Sequence, residues 1–134
     1  MAKTASYIPD GYHSVTLYLI IEGAETLIEF MVEAFDGVEV VSDRSINEDG
    51  SIQHAAVRVS GSIIELSEAR EAFPAMPAMI HLYVPDVDAK YEKAIAAGAT
   101  SIHEVMDMPY GERSGGVKDL AGNLWFIATA DDDR

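Results

Sequence analysis

The sequence predicts an α+β chain made of two copies of a βαβββ module. Three observations carry that prediction. Residues 49–66, DGSIQHAAVRVSGSIIEL, align without a gap on residues 110–127, YGERSGGVKDLAGNLWFI, so that Gly50 meets Gly111 and Gly61 meets Gly122. Each of these stretches is preceded by a β-branched and aromatic run and by a segment whose apolar residues recur at helical spacing. A proline-bearing segment separates the two copies.

The elements follow in order. Residues 15–21, VTLYLII, read as the first strand, being rich in the side chains that suit a pleated surface. Residues 24–35, AETLIEFMVEAF, read as a helix. Leu27, Met31, Ala34 and Phe35 share one face, while Glu25, Glu29 and Glu33 share another. Three like charges four apart repel, but those near the helix start are favoured by its dipole. Residues 38–43 read as the second strand. Residues 49–66 supply the third and fourth strands, an extended run and an apolar run on either side of a glycine turn.

Residues 68–78 join the modules and carry Pro74 and Pro77. Module one spans about 12–67 and module two about 79–130. In the second copy, residues 79–84, MIHLYV, form the first strand. Residues 87–97, VDAKYEKAIAA, form a helix with Val87, Tyr91, Ala94 and Ile95 on one side, Asp86 capping its start and Gly98 its end. Residues 100–105 form its second strand, and residues 110–127 complete the module. Neither copy is large enough to bury its own core, so residues 1–134 are expected to form one domain.

Hydrophobic residues make up 49% of the 134, which suits a globular chain rather than a disordered one. No apolar run has the length of a membrane span and no basic-then-apolar leader opens the sequence. There is no cysteine, which excludes disulfides and thiolate chemistry. These features lead to the expectation of a cytoplasmic protein. The net charge of −14 argues against a nucleic-acid partner and suits a cationic ligand. Asp131–Arg134 reads as a solvated tail.

One residue breaks the pattern. Glu65 stands in the apolar strand Ile63-Ile64-Glu65-Leu66, where a carboxylate needs a partner, a cation or a wet cavity.

Three stretches, residues 11–30, 80–99 and 110–129, resemble the vicinal oxygen chelate superfamily, which includes glyoxalase I, extradiol dioxygenases, and fosfomycin- and bleomycin-resistance proteins. The closer likeness is to its PhnB-like or bleomycin-resistance-like branch. That family usually carries Asp-Pro-x-Gly-Asn at its last turn; here the turn is Asp119-Leu120-Ala121-Gly122-Asn123, without the proline. The resemblance implies a cupped mixed sheet with helices on the outer face, and a homodimer. It also implies ligand positions on the first and last strands of each module, which fall on Thr16, Glu65, Met79 and Phe126. Glu65 matches the family glutamate, whereas Phe126 cannot coordinate and Thr16 and Met79 suit a hard divalent ion poorly.

The reading that follows is a metal-independent small-molecule-binding protein, resembling bleomycin-resistance proteins, that takes a cationic or aromatic ligand in the cup. Its ligand-binding residues are Thr16, Tyr18, Glu65, His81, Tyr83, Arg113 and Phe126, and no cofactor is required. Strand alternation places Thr16, Tyr18, Ile63, Glu65, His81, Tyr83, Leu124 and Phe126 on one face. Leu17, Leu19, Ile64, Leu66, Ile80, Leu82, Trp125 and Ile127 fall on the other, under the helices. The alternative is a metal-dependent glyoxalase-like lyase or isomerase whose divalent metal sits on a nonstandard set, His13, Glu65 and His81. A third possibility is an interaction protein whose cup is filled by its own side chains. Glu65 and His81 are also able to satisfy each other. Arg113 is expected to meet an anionic group or to pair with Glu112, and Gly115-Gly116 marks a close approach or a bulge. His54 and His103 read as polar strand or surface residues. No nucleophile–base triad is apparent, and no catalytic residue is assigned.

Overall fold

A computed structural model of the chain describes residues 7–131. The first module runs through β1 (Leu17–Ile21), α1 (Ala24–Phe35), β2 (Val38–Glu39), a 3-10 turn (Val41–Asp43), β3 (Ser45–Ile46), β4 (Ile52–Val59) and β5 (Ser62–Glu68). The second runs through β6 (Met79–Tyr83), α2 (Val87–Ala96), β7 (Thr100–Met108), β8 (Glu112–Lys118) and β9 (Leu124–Ala130). One sheet has the order β1-β5-β4-β2, with β3 also paired to β4, and the other has the order β6-β9-β8-β7. In both, the first strand of the module runs parallel to the last. The internal repeat survives at the level of register: Tyr18 lies beside Glu65 as His81 lies beside Phe126.

The expected alternation holds where it matters most. Leu19, Leu66, Trp125 and Ile127 are buried together with Leu27, Met31 and Phe35 of α1 in one hydrophobic cluster that draws on both modules. Trp125 is its largest fully buried side chain. Its ring centroid lies 4.7 Å from that of Phe35 and 6.3 Å from that of Phe30, so the helix of module one packs on the last strand of module two. Asp36, in the left-handed conformation that ends α1, takes Lys90 and Lys93 of α2 and ties the helices together.

The start of α1 is fixed by a distant side chain, and α2 by its own flanking residues. The backbone N–H groups of Gly23, which caps α1, and of Ala24, its first residue, donate to the two oxygens of Glu68 at 3.0 and 2.9 Å. Asp86 caps α2 as expected, accepting from the Ala89 N–H at 3.2 Å. Gly98 closes the same helix at φ +111°. Ile95, expected on the packed side of α2, is partly exposed, whereas Val87 and Ala94 are buried.

Several boundaries differ, the ends of β5 at Glu68, β9 at Ala130 and α2 at Ala96 among them. The first strand begins at Leu17 rather than at 15, the strand expected over 79–84 ends at Tyr83, and β7 extends past 105 to Met108. The larger correction is in module one, where residues 38–43 do not form a continuous strand. After Glu39 the chain tightens into 3-10 bonds, Asp43 N–H to Val40 O and Arg44 N–H to Val41 O. This turn brings the Arg44 guanidinium back onto Glu39 at 2.7 Å and Glu25 at 2.7 Å. The tail expected at Asp131–Arg134 lies, beyond Asp131, outside the described residues. Among the described residues, no helix is long and apolar enough to cross a membrane.

The Asp119–Asn123 turn is a structural anchor. Asp119, almost fully buried, accepts from the N–H groups of Ala121 and Asn123, the Asn123 amide and, at 2.7 Å, the Trp125 indole N–H. Asn123 in turn accepts from Ala78 N–H at 2.9 Å, fixing the end of the connector to the second module. Gly122 sits at φ +97°, a conformation that side chains with a Cβ disfavour.

Candidate ligand-binding site

The faces turned away from the helices carry two separate polar constellations. In module one, the β4–β5 hairpin pairs Ala56 with Glu65, which makes His54 the diagonal neighbour of Glu65 on the same face. His54 Nε2 lies 2.9 Å from Glu65 Oε1, and its Nδ1 lies 3.1 Å from the carbonyl oxygen of Asp43. The carbonyl can only accept, so Nδ1 carries a proton, and the contact with Glu65 needs one more. Burial pushes the imidazole pKa down, but the hydrogen bonds to Glu65 and Asp43, with their charges, outweigh it and hold His54 above its ordinary value. The Tyr12 hydroxyl donates to the Asp43 carboxylate at 3.2 Å. Burial, and then that acidic neighbour, raise the tyrosine's pKa. Tyr18 lies alongside, its ring 5.9 Å from that of His54.

In module two, Glu112 opens β8 and is only 3% exposed. The Tyr83 hydroxyl donates to one of its oxygens at 3.1 Å, and His81 Nε2 lies 3.2 Å from the other. The rings of His81 and Tyr83 stack at 4.6 Å. Across the same sheet His81, Phe126, Gly116 and His103 form one lateral row. The rings of Phe126 and His103 lean together over Gly116, 6.0 Å apart and 23° from parallel. A Cβ on Gly116 would stand 3.0 Å from both rings, and one on Gly115 would stand 2.8 Å from Tyr91 of α2. The glycine pair is therefore a close approach on both faces of the sheet, while the irregular register lies opposite, in β7.

Two cavities lie beside these residues, and only the second is on an open face. One, of about 290 Å³, lies between the sheets and is lined by His13, Leu17, Ile63, Ile80 and His81, among others. The second, of about 450 Å³, sits on the module-two face over Glu112, Phe126 and His103. Both sizes are in or near the range of small-molecule sites.

The expected residues are thus partly gathered. Glu65 and His81 do not pair; Glu65 is taken by His54 and His81 by Glu112. His13 and His81 share the smaller cavity, whose lining does not include Glu65. Thr16 donates its hydroxyl to the His13 carbonyl at 2.8 Å. Arg113 does not meet Glu112; it bonds Asp88 at 3.0 Å and Asp107 at 3.3 Å, beside a separate shallow groove. Among the described residues no three His, Asp or Glu side chains are grouped to hold a metal ion. The donor set at Thr16, Glu65, Met79 and Phe126 does not fit a divalent cation, since its one carboxylate is engaged by an imidazole.

Three residues escaped the sequence reading, His54, Glu112 and His103, the last of which lines the module-two cavity beside Phe126. His54 was legible in principle: a two-residue turn after Val59 fixes the hairpin register and puts residue 54 on the face of residue 65. Glu112 had no such signal, because its partners lie on a strand about thirty residues earlier in the chain, |i−j| = 29 for Tyr83.

A family profile described as the Glyoxalase/Bleomycin resistance protein/Dioxygenase superfamily matches residues 13–127. The chain belongs to that superfamily. It is 35% identical over 121 residues to Uncharacterized protein Mb0911c of Mycobacterium bovis, covering 82% of this chain and 78% of that one. Among solved superfamily-like structures, it superposes on the PhnB protein from Bacillus cereus with a TM-score of 0.66 and 20% identity, over 88% of this chain and 100% of that one. It also superposes on the fosfomycin resistance protein FosX from Listeria monocytogenes, with a TM-score of 0.72 and 16% identity over 90% and 95%. At such identities the likeness is one of fold, and superfamily membership carries small-molecule binding as the shared theme rather than one chemistry.

Proposed function

We propose that this protein is a metal-independent binder of a cationic or aromatic small molecule, held on the concave faces of the two sheets by Tyr18, Glu65, His81, Tyr83 and Phe126, with Thr16 at the margin. The observation that carries the reading is the commitment of Glu65 to His54, which turns the superfamily's carboxylate position into a hydrogen-bonded polar contact. Tyr18 beside it, Tyr83 on the module-two face, both exposed, and the charge of −14 support a cationic or aromatic ligand. Arg113, already paired with two aspartates, stands apart from this set. We further propose a cytoplasmic homodimer. Tyr18 and Met79, 44% and 69% exposed on the open faces, support the second copy.

The test is the metal content of protein purified without chelator, followed by melting shifts with zinc, nickel, manganese and cobalt. Calorimetric titration with basic glycopeptides and aromatic amines up to millimolar concentration comes next. Absent metal, no Glu65-dependent shift and a saturable organic ligand are expected. Near-stoichiometric metal, or a shift abolished by Glu65→Gln, overturns metal independence. A panel with no binder overturns the binding reading, and a concentration-independent monomer in sedimentation overturns the dimer.

A further inference from the structure

We propose that the module-two cavity is a site for planar aromatic cations, in which Glu112 supplies the counter-charge and the paired rings of Phe126 and His103 supply the stacking surface. The inference rests on the binding reading above and assigns it a residue and a ligand class.

Glu112 is the starting point. Two acidic side chains of the described chain are almost fully buried, Asp119 and Glu112. Asp119 is saturated by four N–H donors, three in its own turn and one from Trp125 of β9. Glu112 has two partners, a tyrosine hydroxyl and a half-exposed imidazole, for a carboxylate that accepts about four hydrogen bonds. Other carboxylates of the chain meet a guanidinium or an ammonium: Glu25 and Glu39 take Arg44, Asp88 takes Arg113, and Asp36 takes Lys90 and Lys93. Among the described residues no Lys or Arg stands within ion-pair distance of Glu112. A buried carboxylate with spare lone pairs, no Lys or Arg beside it and a cavity over it favours a positive ligand there.

The rest of the cavity sets the ligand's shape. Phe126 and His103 lean over Gly116 because that residue has no side chain to hold them apart, and they present near-parallel rings to the same cavity. Flat faces of this kind attract a delocalised cation through stacking and the ring quadrupole. Met79 and Met108 complete the walls with flexible thioethers that adapt to a flat edge. An anion is disfavoured by Glu112, and a compact alkylammonium ion leaves the ring surface unused.

The experiment is a fluorescence titration of the full chain with proflavine, a planar aromatic cation. Acridone is the neutral molecule of similar shape, and choline the cation without a ring. Proflavine is expected to bind at least about tenfold more tightly than either. Glu112→Gln, which keeps the shape and removes the charge, is expected to weaken proflavine about tenfold or more. His103→Ala, at a half-buried position, is expected to weaken it several-fold while leaving choline unchanged. Glu33→Gln, on the exposed face of α1, serves as the control, and circular dichroism establishes that each variant is folded. Equal affinity for acridone and proflavine overturns the proposal. Full proflavine affinity in folded Glu112→Gln and His103→Ala does so as well. Loss in Glu65→Gln with retention in Glu112→Gln moves the ligand to module one, which overturns this assignment and leaves the broader binding reading standing. Binding of other members of the ligand panel with none of proflavine has the same effect.

Discussion

His54 Nε2 stands 2.9 Å from Glu65 Oε1 while its Nδ1 faces the Asp43 carbonyl at 3.1 Å, so one imidazole is held between two acceptors. The unexpected break in the second strand makes this possible. The 3-10 turn at Val41–Asp43 brings that carbonyl within reach of His54. A protonated ring satisfies both ends.

This arrangement makes stability depend on pH in a defined direction. The folded pKa of His54 is raised, so the pair's contribution is complete below the unfolded value of about 6.5 and is lost as pH rises through the folded value. Glu65→Gln is expected to cost about 1 kcal/mol at pH 6, and less at pH 9. Urea unfolding at both pH values measures the gap, and NMR titration of the imidazole measures the pKa, which falls in the variant. A gap that is the same at both pH values contradicts the shared proton.

Asp119→Ala removes four hydrogen bonds and strands the indole N–H of a fully buried tryptophan. The expected loss is about 3 kcal/mol, read as a lower urea midpoint. Asp119→Asn keeps an acceptor and is expected to lose less. Equal losses in the two variants contradict this account.

Glu68→Ala leaves the N–H groups of Gly23 and Ala24 at the start of α1 without their carboxylate. A cost of about 1–2 kcal/mol follows from the lost cap and the lost charge at the helix dipole. Hydrogen exchange is expected to quicken first in that turn, and protection there equal to wild type counts against the capping role.

Glycine substitutions separate packing from turn chemistry. Gly115→Ala places a methyl 2.8 Å from Tyr91 and Val105 and is expected to destabilise by about 1–3 kcal/mol. Gly61→Ala meets nothing within 4 Å and is expected to stay within about 0.5 kcal/mol of wild type. Thermal melts of the two, side by side, check the contrast.

Much of the fold was legible because the module repeats: one pattern, read twice, placed both helices and the order of the elements, while the parallel pairing of first and last strands emerged only in the structure. Tyr18 with Glu65 and His81 with Phe126 follow from that register. The partners of the site residues were harder to read. Glu65 found His54 rather than His81 because the hairpin neighbour is nearer than the other module. Arg113 turned to Asp88 and Asp107, since it lies on the opposite face of β8 from its neighbours Glu112 and Ser114. The broken strand at 38–43 was hidden because the features that accompany it, the 3-10 bonds after Val40 and the Arg44 contacts with Glu25 and Glu39, are not encoded in hydrophobic pattern.

The burial of Trp125 against Phe30 and Phe35 also bears on how such a chain unfolds and arose. It is the sole tryptophan, so intrinsic emission reports on the seam between the halves, and a single cooperative transition is the expected signal. A half-length ancestor would have left the corresponding apolar helix face open to water. Such a unit gains shelter by associating with its twin, and fusion of the two copies converts that encounter into a permanent, tethered one.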